Sequence, residues 1–309
     1  MTVSTGSTSE SVAVVVVTYN RADLLTRMLE GLAGLDRAPD AVIVVDNASS
    51  DHTPDVLAAS TLPGLQTIRT TDNLGGAGGF HLGLKTAHDQ GFDAMWLMDD
   101  DVVPAPDCLT RLLEVDASAL ISVREDLAGR LIEKAAVRFD LRNPLAIRPK
   151  TASIDSTYSS RTDMPATVEV QNVAFEGFLV RREVIDRIGL PDPSFFIFYD
   201  DVDYAIRARR AGFAILAVRD AVLVRQLDFD QQHDLSGWKG YFMYRNLFAV
   251  HFRYGENAAV RLKPWLIALV VVLLSPVRGG RAEARNVIRA VRDARRMRRP
   301  DPAALPARR

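Results

Sequence analysis

A single cysteine, Cys108, stands among 309 residues. An internal disulfide and a multi-cysteine zinc site are therefore excluded, and the chain fits a reducing compartment. Neither sign of charge dominates: 38 Lys and Arg meet 39 Asp and Glu, a formal net charge of -1, which removes any global electrostatic case for a nucleic-acid partner. No internal repeat or low-complexity block is present. The longest uninterrupted apolar run, residues 265–274, falls far short of the roughly 20 residues that a membrane-spanning helix needs, so no transmembrane anchor is expected. Residues 1–11 are rich in Ser and Thr, have neither the basic start nor the apolar stretch of a secretory signal, and read as a disordered tail. These absences point to a cytoplasmic protein.

What is present is an ordinary globular composition, unevenly arranged. With 48% apolar residues, the chain can bury one large domain with a smaller appendage. Eleven arginines fall between residues 278 and 309 against Glu283, Asp293 and Asp301, so the C-terminal end is basic and the remainder mildly acidic. Residues 12–18 form a Val-rich run of the kind buried on both faces of a sheet, and residues 21–35 follow with apolar positions at helical spacing. Residues 41–45, 65–69 and 94–98 repeat the strand pattern, separated by helical stretches at 51–59 and 76–90. Strands alternating with helices predict an α/β fold with a mostly parallel sheet flanked by helices. Residues 124–165 have weaker periodicity, with strand character only near 135–139, and read as an irregular insertion; beyond them, 168–180 reads as strand, 200–211 as helix and 214–224 as strand.

In such a sheet ligands bind beyond the carboxyl ends of the strands, and the polar residues concentrate there. The fourth strand delivers Asp99, Asp100 and Asp101, three carboxylates that repel one another unless solvated or bound to a cation. Mg2+ or Mn2+ relieves that repulsion and bridges one or two protein carboxylates to substrate phosphates; a solvated acidic turn is the plainer alternative. Asp46, Asn47, Ser49 and Asp51 end the second strand, where they can accept from a base or ribose and cap the next helix. Asn73 opens a stretch holding Gly75, Gly76, Gly78 and Gly79, whose bare backbone can approach an anion at a helix start.

Four blocks occur in the order and spacing of the family 2 glycosyltransferases. They run from Val14 to Arg21 (Val-Val-Val-Val-Thr-Tyr-Asn-Arg), from Val44 to Asp51, from Asn73 to Gly79, and from Trp96 to Asp101. The chain resembles that family over roughly residues 12–225, and its Gly-rich block followed by three aspartates looks most like the bacterial galactofuranosyltransferases that build cell-wall galactan, with rhamnosyltransferases as close relatives. The resemblance implies a Rossmann-like GT-A domain over 12–225 and a helical C-terminal region over 226–309. It also implies an inverting transfer from a nucleotide-sugar donor, UDP-galactofuranose first and dTDP-rhamnose second, to a polyprenyl-linked or cell-wall glycan. By the same match Thr18, Asn20, Arg21, Asp46, Asn73, Gly76 and Asp100 line the nucleotide diphosphate, with Asp46 reading uracil or ribose. Asp99 and Asp101 hold the diphosphate and the metal, Mg2+ or Mn2+. The acidic block after Tyr199, namely Asp200, Asp201 and Asp203, supplies the general base, with Asp201 the candidate; the alternative is that these residues only favour a helix start.

One departure stands out. Relatives of this type place a metal-binding histidine about one strand after the base, where this chain has Arg225, which cannot ligate a cation. Either Arg225 neutralises the diphosphate directly or His233 in the next loop takes the role. Glu176 and Gly177 fall where the family has an acceptor-facing turn, and Trp238, Tyr241, Tyr244, Arg245 and Asn246 resemble its acceptor-side helix. The aromatic residues there suit sugar stacking or a packed helix face. Residues 265–274 suggest a short apolar helix, and 278–299 a basic amphipathic one with Val287, Ile288, Val291 and Ala294 on one side. That helix suits either contact with anionic lipid at the inner leaflet, making the enzyme peripheral at the cytoplasmic face, or packing against the rest of the protein. Two further classes stay open on the residues alone: a silent nucleotide-binding module, and a nucleotidyltransferase. The second is opposed by the lack of glycine at Tyr19-Asn20-Arg21.

Overall fold

The Val-rich run near the start organises the architecture. β1 (Val12–Thr18) is buried along its whole length, and its side chains alternate between two cores: Ala13, Val15 and Val17 face one, Val12, Val14 and Val16 the other. In the computed structural model, which describes residues 10–146, 148–227, 237–277 and 280–300, the chain continues through α1 (Ala22–Ala33), β2 (Ala41–Asp46), α2 (Thr53–Ala59), β3 (Leu65–Arg69), α3 (Gly75–Asp89), β4 (Ala94–Asp99), β5 (Val102–Pro104), α4 (Cys108–Leu113), β6 (Ala119–Glu125), β7 (Ala136–Phe139), β8 (Lys150–Ser153), α5 (Ile154–Thr157), β9 (Thr167–Val170), β10 (Phe178–Arg181), α6 (Arg182–Ile188), α7 (Asp200–Arg210), β11 (Ile215–Arg225), α8 (Trp238–Tyr254), α9 (Ala258–Leu274) and α10 (Gly280–Arg296).

The main sheet has the order β3-β2-β1-β4-β10-β6-β11-β5, with β9 also on β11. The first four strands are parallel; β10 then enters antiparallel between β4 and β6, and β11 runs parallel to β6. One face is covered by α3, α6 and α7 through Phe80, Leu84, Val184 and Tyr204. The other is covered by α1, α2 and α4 through Leu25, Met28, Leu57 and Leu109. Cys108 is packed in that second layer beside Ser122, with its thiol pushed up to about 12 by burial, so it is a core residue. Close contact of α3 with β1 explains two glycines: a Cβ at Gly79 or Gly83 would lie 2.5 Å from Val17 or Val15.

Three expectations change. Residues 168–180 are not one strand. β9 and β10 are separated because Asn172 accepts the Ala136 N–H (2.6 Å) and Gln171 the Phe139 N–H (2.6 Å), and Gly177 turns the chain at φ 98. The insertion holds a second strand, β8, which pairs antiparallel with β7. The apolar C-terminal helix is also longer than its uninterrupted run, since α9 takes in Arg261, Lys263 and Pro264. Residues Ala258–Val277 make a 20-residue stretch that holds an 18-residue window of mean hydropathy 1.9, long and apolar enough to cross a membrane by length and composition.

The C-terminal helices rest on the outer face of α7, where Val202 and Ile206 meet Phe248, Val271 and Val287. In α10 most of the apolar side packs inward, which is the packing alternative for this helix: Val287, Val291 and Ala294 are buried with Ala290, while Ile288, expected beside them, is 44% exposed. Instead α9 presents an unpartnered stripe, with Leu262, Leu266, Leu269 and Leu273 each more than half exposed at helical spacing.

The α3 contact generates a stability prediction. Gly83→Ala gains about 1 kcal/mol of helix propensity but overpacks Val15, which costs about 1–3 kcal/mol, so its urea midpoint is expected to fall. Gly76→Ala, where a Cβ would meet nothing within 4 Å, is expected to leave the midpoint unchanged or raise it. A raised midpoint for Gly83→Ala would show that α3 does not depend on that close approach.

Candidate active site

The carboxyl ends of three adjacent parallel strands bring the polar blocks together. The register sets Thr18 beside Asp46 and Val17 beside Asp99. Beyond β1, Asn20 adopts φ 53. Its side-chain oxygen accepts from the Ser50 N–H (2.7 Å), and its own N–H donates to Ser49 Oγ (2.9 Å). The Asn20 side chain thus knits the loops after β1 and β2 together. Asp51 caps both following helices, accepting from Ala22 and Thr53 N–H groups (3.1 and 3.0 Å). Asp46 is buried; one oxygen accepts the Ser49 N–H (2.9 Å), while the other lies 3.7 Å from Arg69. Within the described residues, three buried acceptor oxygens at this edge lack a hydrogen-bond partner: Asp46 Oδ2, Asn47 Oδ1 and Asp101 Oδ1. Buried acceptors left open are costly unless a ligand fills them.

The three aspartates are not equivalent. Asp100 is buried and locked, accepting from Thr18 Oγ1 (2.8 Å) and Arg21 Nη1 (3.0 Å); burial pushes its carboxyl to about 6 although Arg21 pulls the other way. Asp101 Oδ2 lies 3.4 Å from both Arg21 and Arg225, yet burial and then the Glu176 charge raise its proton affinity. Asp99 ends β4, and burial, Glu176 and its two neighbours lift it well above the carboxylate range. The edge is therefore short of positive charge. Among the described residues no group of three or more His, Cys, Asp or Glu is arranged to hold a metal unaided. Asp99 and the open oxygen of Asp101 fit a hard divalent ion whose remaining ligands are phosphate oxygens and water, the usual Mg2+ arrangement.

The glycine stretch is spent mainly on the protein. The Gly75 N–H donates to Asn73 Oδ1 (2.8 Å), Asn47 Nδ2 donates to the Gly75 carbonyl (3.0 Å), and the Ala77 N–H donates to the Phe196 carbonyl (3.1 Å). Of the four glycines at 75, 76, 78 and 79, Gly76 alone has open space where a Cβ would sit.

On the opposite side, α7 opens with Tyr199 in the left-handed region at φ 66. Asp201 follows. Burial pushes its carboxyl to about 6; the Val202 N–H and the Lys150 and Arg124 charges oppose that shift, and Glu176 adds to it. Asp203 has a different job, since it is fully buried and accepts from Arg207 (2.9 Å), Arg253 (2.7 Å) and Tyr254 (2.6 Å), tying α7 to α8. Glu176 bonds Arg124 and lies 3.5 Å from Arg225. Burial alone would raise Glu176, but Arg124 and Arg225 together hold it below its usual range. Arg124 also pairs with Glu133 through two bonds of 2.8 and 2.9 Å. Arg225 thus stands inside the site, facing Asp101 and Glu176, whereas His233 lies outside the described residues. Arg124, Glu133 and Lys150 went unnoticed in the sequence. The available signal was a charge at the end of an apolar strand, as at Arg124.

Comparison with known proteins places the chain in a family. A family model described as glycosyltransferase like family 2 matches residues 9–243. The chain is 31% identical over 252 residues to the galactofuranosyltransferase GlfT1 of Mycolicibacterium smegmatis, covering 77% of this chain and 82% of that one. It is 25% identical over 226 residues to the N-acetylglucosaminyl-diphospho-decaprenol L-rhamnosyltransferase of Mycobacterium tuberculosis, covering 67% and 73%. The fold is that of a solved mannosyltransferase from Pyrobaculum calidifontis in complex with GDP-Man and Mn2+, with TM-score 0.53, 21% identity, and 93% of this chain and 73% of that one covered. That likeness shows a GT-A fold.

Asp201 carries a measurable linkage. Folded, its carboxyl keeps a proton up to about pH 6; unfolded, it releases it near its ordinary 3.8. The folded state is therefore penalised progressively as pH rises through that window. Asp201→Asn removes the penalty, so at pH 7 the variant is expected to be more stable than wild type by roughly 1–3 kcal/mol, with the difference vanishing below about pH 4. Denaturant melts at the two pH values check this; equal stability at pH 7 would show that Asp201 is not desolvated.

Proposed function

The chain belongs to the family described as glycosyltransferase like family 2, and from that premise we propose that it transfers a galactofuranosyl unit from UDP-galactofuranose to a lipid-linked or cell-wall glycan with inversion. The observation that carries the reading is Asp201, a carboxyl brought to about 6 by its surroundings, across from a strand edge that is short of positive charge. A base titrating near neutrality is matched to its task. The acceptor hydroxyl gives its proton to Asp201 while its oxygen attacks the anomeric carbon from the face opposite the leaving group. The bond from that carbon to the diphosphate oxygen breaks, and its electron pair leaves with UDP.

Asp46 and Asn47, with their open oxygens, are placed to accept N–H or O–H donors of the base and ribose, and Thr18, Asn20 and Asn73 shape the walls. Arg21 and Arg225 face the developing diphosphate charge while holding Asp101, and Asp100 fixes Arg21. Mg2+ or Mn2+, when bound by Asp99 and Asp101, supplies further charge neutralisation to the leaving diphosphate. The likeness to the rhamnosyltransferase supports transfer of rhamnose from dTDP-rhamnose as the second reading. The extent of the transferase domain, 12–225, and of the acceptor-side helical region, 226–309, belongs to the same proposal.

We also assign the exposed stripe of α9 to the surface of an anionic bilayer, with Trp265 at its edge and the exposed arginines of α10, such as Arg289 and Arg296, near lipid phosphates. This would hold a cytoplasmic enzyme beside a polyprenyl-linked acceptor.

Purified protein given a panel of nucleotide sugars and membrane extract is expected to release UDP from UDP-galactofuranose, and to lose release when divalent ions are chelated. Asp201→Asn is expected to lower release by about 100-fold or more while UDP still binds; release at the wild-type rate would remove Asp201 as base. For the membrane face, Leu266→Glu with Leu269→Glu and Leu273→Glu is expected to abolish sedimentation with phosphatidylglycerol vesicles. Unchanged sedimentation would clear α9 of that role.

A further inference from the structure

We propose that Asn246 of α8 is a positioning residue for the transfer reaction, its side-chain amide holding the left-handed segment 196–199 that sets Asp201 against the donor edge. The inference rests on the transferase reading above and adds a residue to which that reading gives no task. Phe196, Phe198 and Tyr199 have φ values of 64, 67 and 66, a conformation that non-glycine residues keep only when their surroundings impose it. The imposing group is Asn246. Its side chain is fully buried, and Nδ2 lies 3.0 Å from the Phe195 carbonyl, 2.7 Å from that of Ile197 and 2.9 Å from that of Phe198. Two N–H bonds are thus shared among three carbonyls of one tight turn. Arg245 secures both partners: its Nε donates to Asn246 Oδ1 (2.8 Å), and its Nη2 donates to the carbonyls of Ser194 (2.8 Å) and Phe195 (2.7 Å). Phe196 stacks on Phe242 of the same helix at 4.9 Å.

The other side of the turn reaches the donor loop. The Phe196 carbonyl accepts the Ala77 N–H at 3.1 Å. It lies where a Cβ on Gly75 would be, only 2.0 Å away, so Gly75, itself at φ 71, cannot be another residue without moving the turn. Asn47 then holds the Gly75 carbonyl. A continuous set of bonds thus runs from α8 through segment 195–199 to the tip of β2. Because Tyr199 is the residue immediately before α7, relaxing its backbone swings the first turn of that helix, and Asp201 with it.

The test uses the full chain and two variants. Asn246→Asp has the same shape but sets an oxygen against three carbonyls; Asn246→Gln keeps the amide and displaces it by one methylene. Asn246→Asp is expected to lower kcat for UDP release by about 100-fold, the loss that a misplacement of about 1 Å brings, while UDP affinity by titration stays within about threefold of wild type. Its acid limb should move toward lower pH as Asp201 becomes solvated. Asn246→Gln should recover part of kcat. Independently of catalysis, amide exchange at residues 75–80 and 194–200 should quicken in Asn246→Asp, since the Ala77 N–H loses its fixed acceptor. If wild type releases no UDP from any donor, the transferase reading fails, and exchange alone decides the clamp. Wild-type kcat with unchanged exchange overturns the proposal. So does a loss of kcat that simply follows a loss of folded protein, with the acid limb unmoved.

Discussion

The desolvation of carboxylates at one edge of the sheet is the constraint around which the rest is arranged. β1 is so thoroughly apolar that its neighbours close over both faces, and the polar residues of β1, β2 and β4 stand at their carboxyl ends. There Asp46, Asp100 and Asp101 are buried, and Asp99 and Asp101 feel the charge of Glu176. Arg21, Arg69, Arg124 and Arg225 stand against them among the described residues, and Arg124 is shared with a further acid, Glu133. The imbalance appears in two ways, as raised proton affinity at Asp99, Asp100 and Asp101 and as acceptor oxygens without donors. Both are relieved by a ligand that brings donors and a cation. The free protein therefore carries a local instability at this edge, a common arrangement at functional sites.

α7 converts this edge into a two-sided site. Its inner face, with Tyr204, Ala205 and Ala208, packs on the sheet, and its outer face receives the C-terminal helices. Three acids in its first turn divide the work. Asp203 is spent on Arg207, Arg253 and Tyr254, and Arg253 also bonds Asp192 at 2.7 Å. Removing one member of such a buried set leaves a charge without a partner, which explains why an acid that looks helix-capping in the sequence is structural. Asp201, two residues earlier, makes no such commitment and keeps a carboxyl available for proton transfer.

Much of this was legible in the sequence. Val-rich strands and the polar residues ending them are local patterns, and the boundaries of β1 and β3 follow directly from the run at residues 12–18 and the short segment 65–69. Burial of α10's apolar side was not legible, because amphipathicity tells which side of a helix is apolar and not what covers it. β8, Lys-Thr-Ala-Ser, has no apolar alternation to announce it. The break between β9 and β10 was hidden because it depends on Gln171 and Asn172 reaching a hairpin some thirty residues earlier. Asn246 stood out in the sequence only as part of a stretch that resembles an acceptor-side helix, with nothing to mark its bonding. Its importance exists only once three carbonyls from another part of the chain are wrapped around it.

The three tryptophans divide the molecule in a way that optical spectroscopy can read. Trp96 is fully buried in β4, inside the core; Trp238 stands edge-on to Phe196 at 6.4 Å, against the left-handed turn; Trp265 lies half exposed on the apolar stripe of α9. Each samples a different environment, so replacing any two leaves an intrinsic fluorophore in one compartment: the sheet, the turn before α7, or the outer helix. The chain thus contains its own reporters for unfolding, for movement of that turn, and for a change of medium around the C-terminal helices.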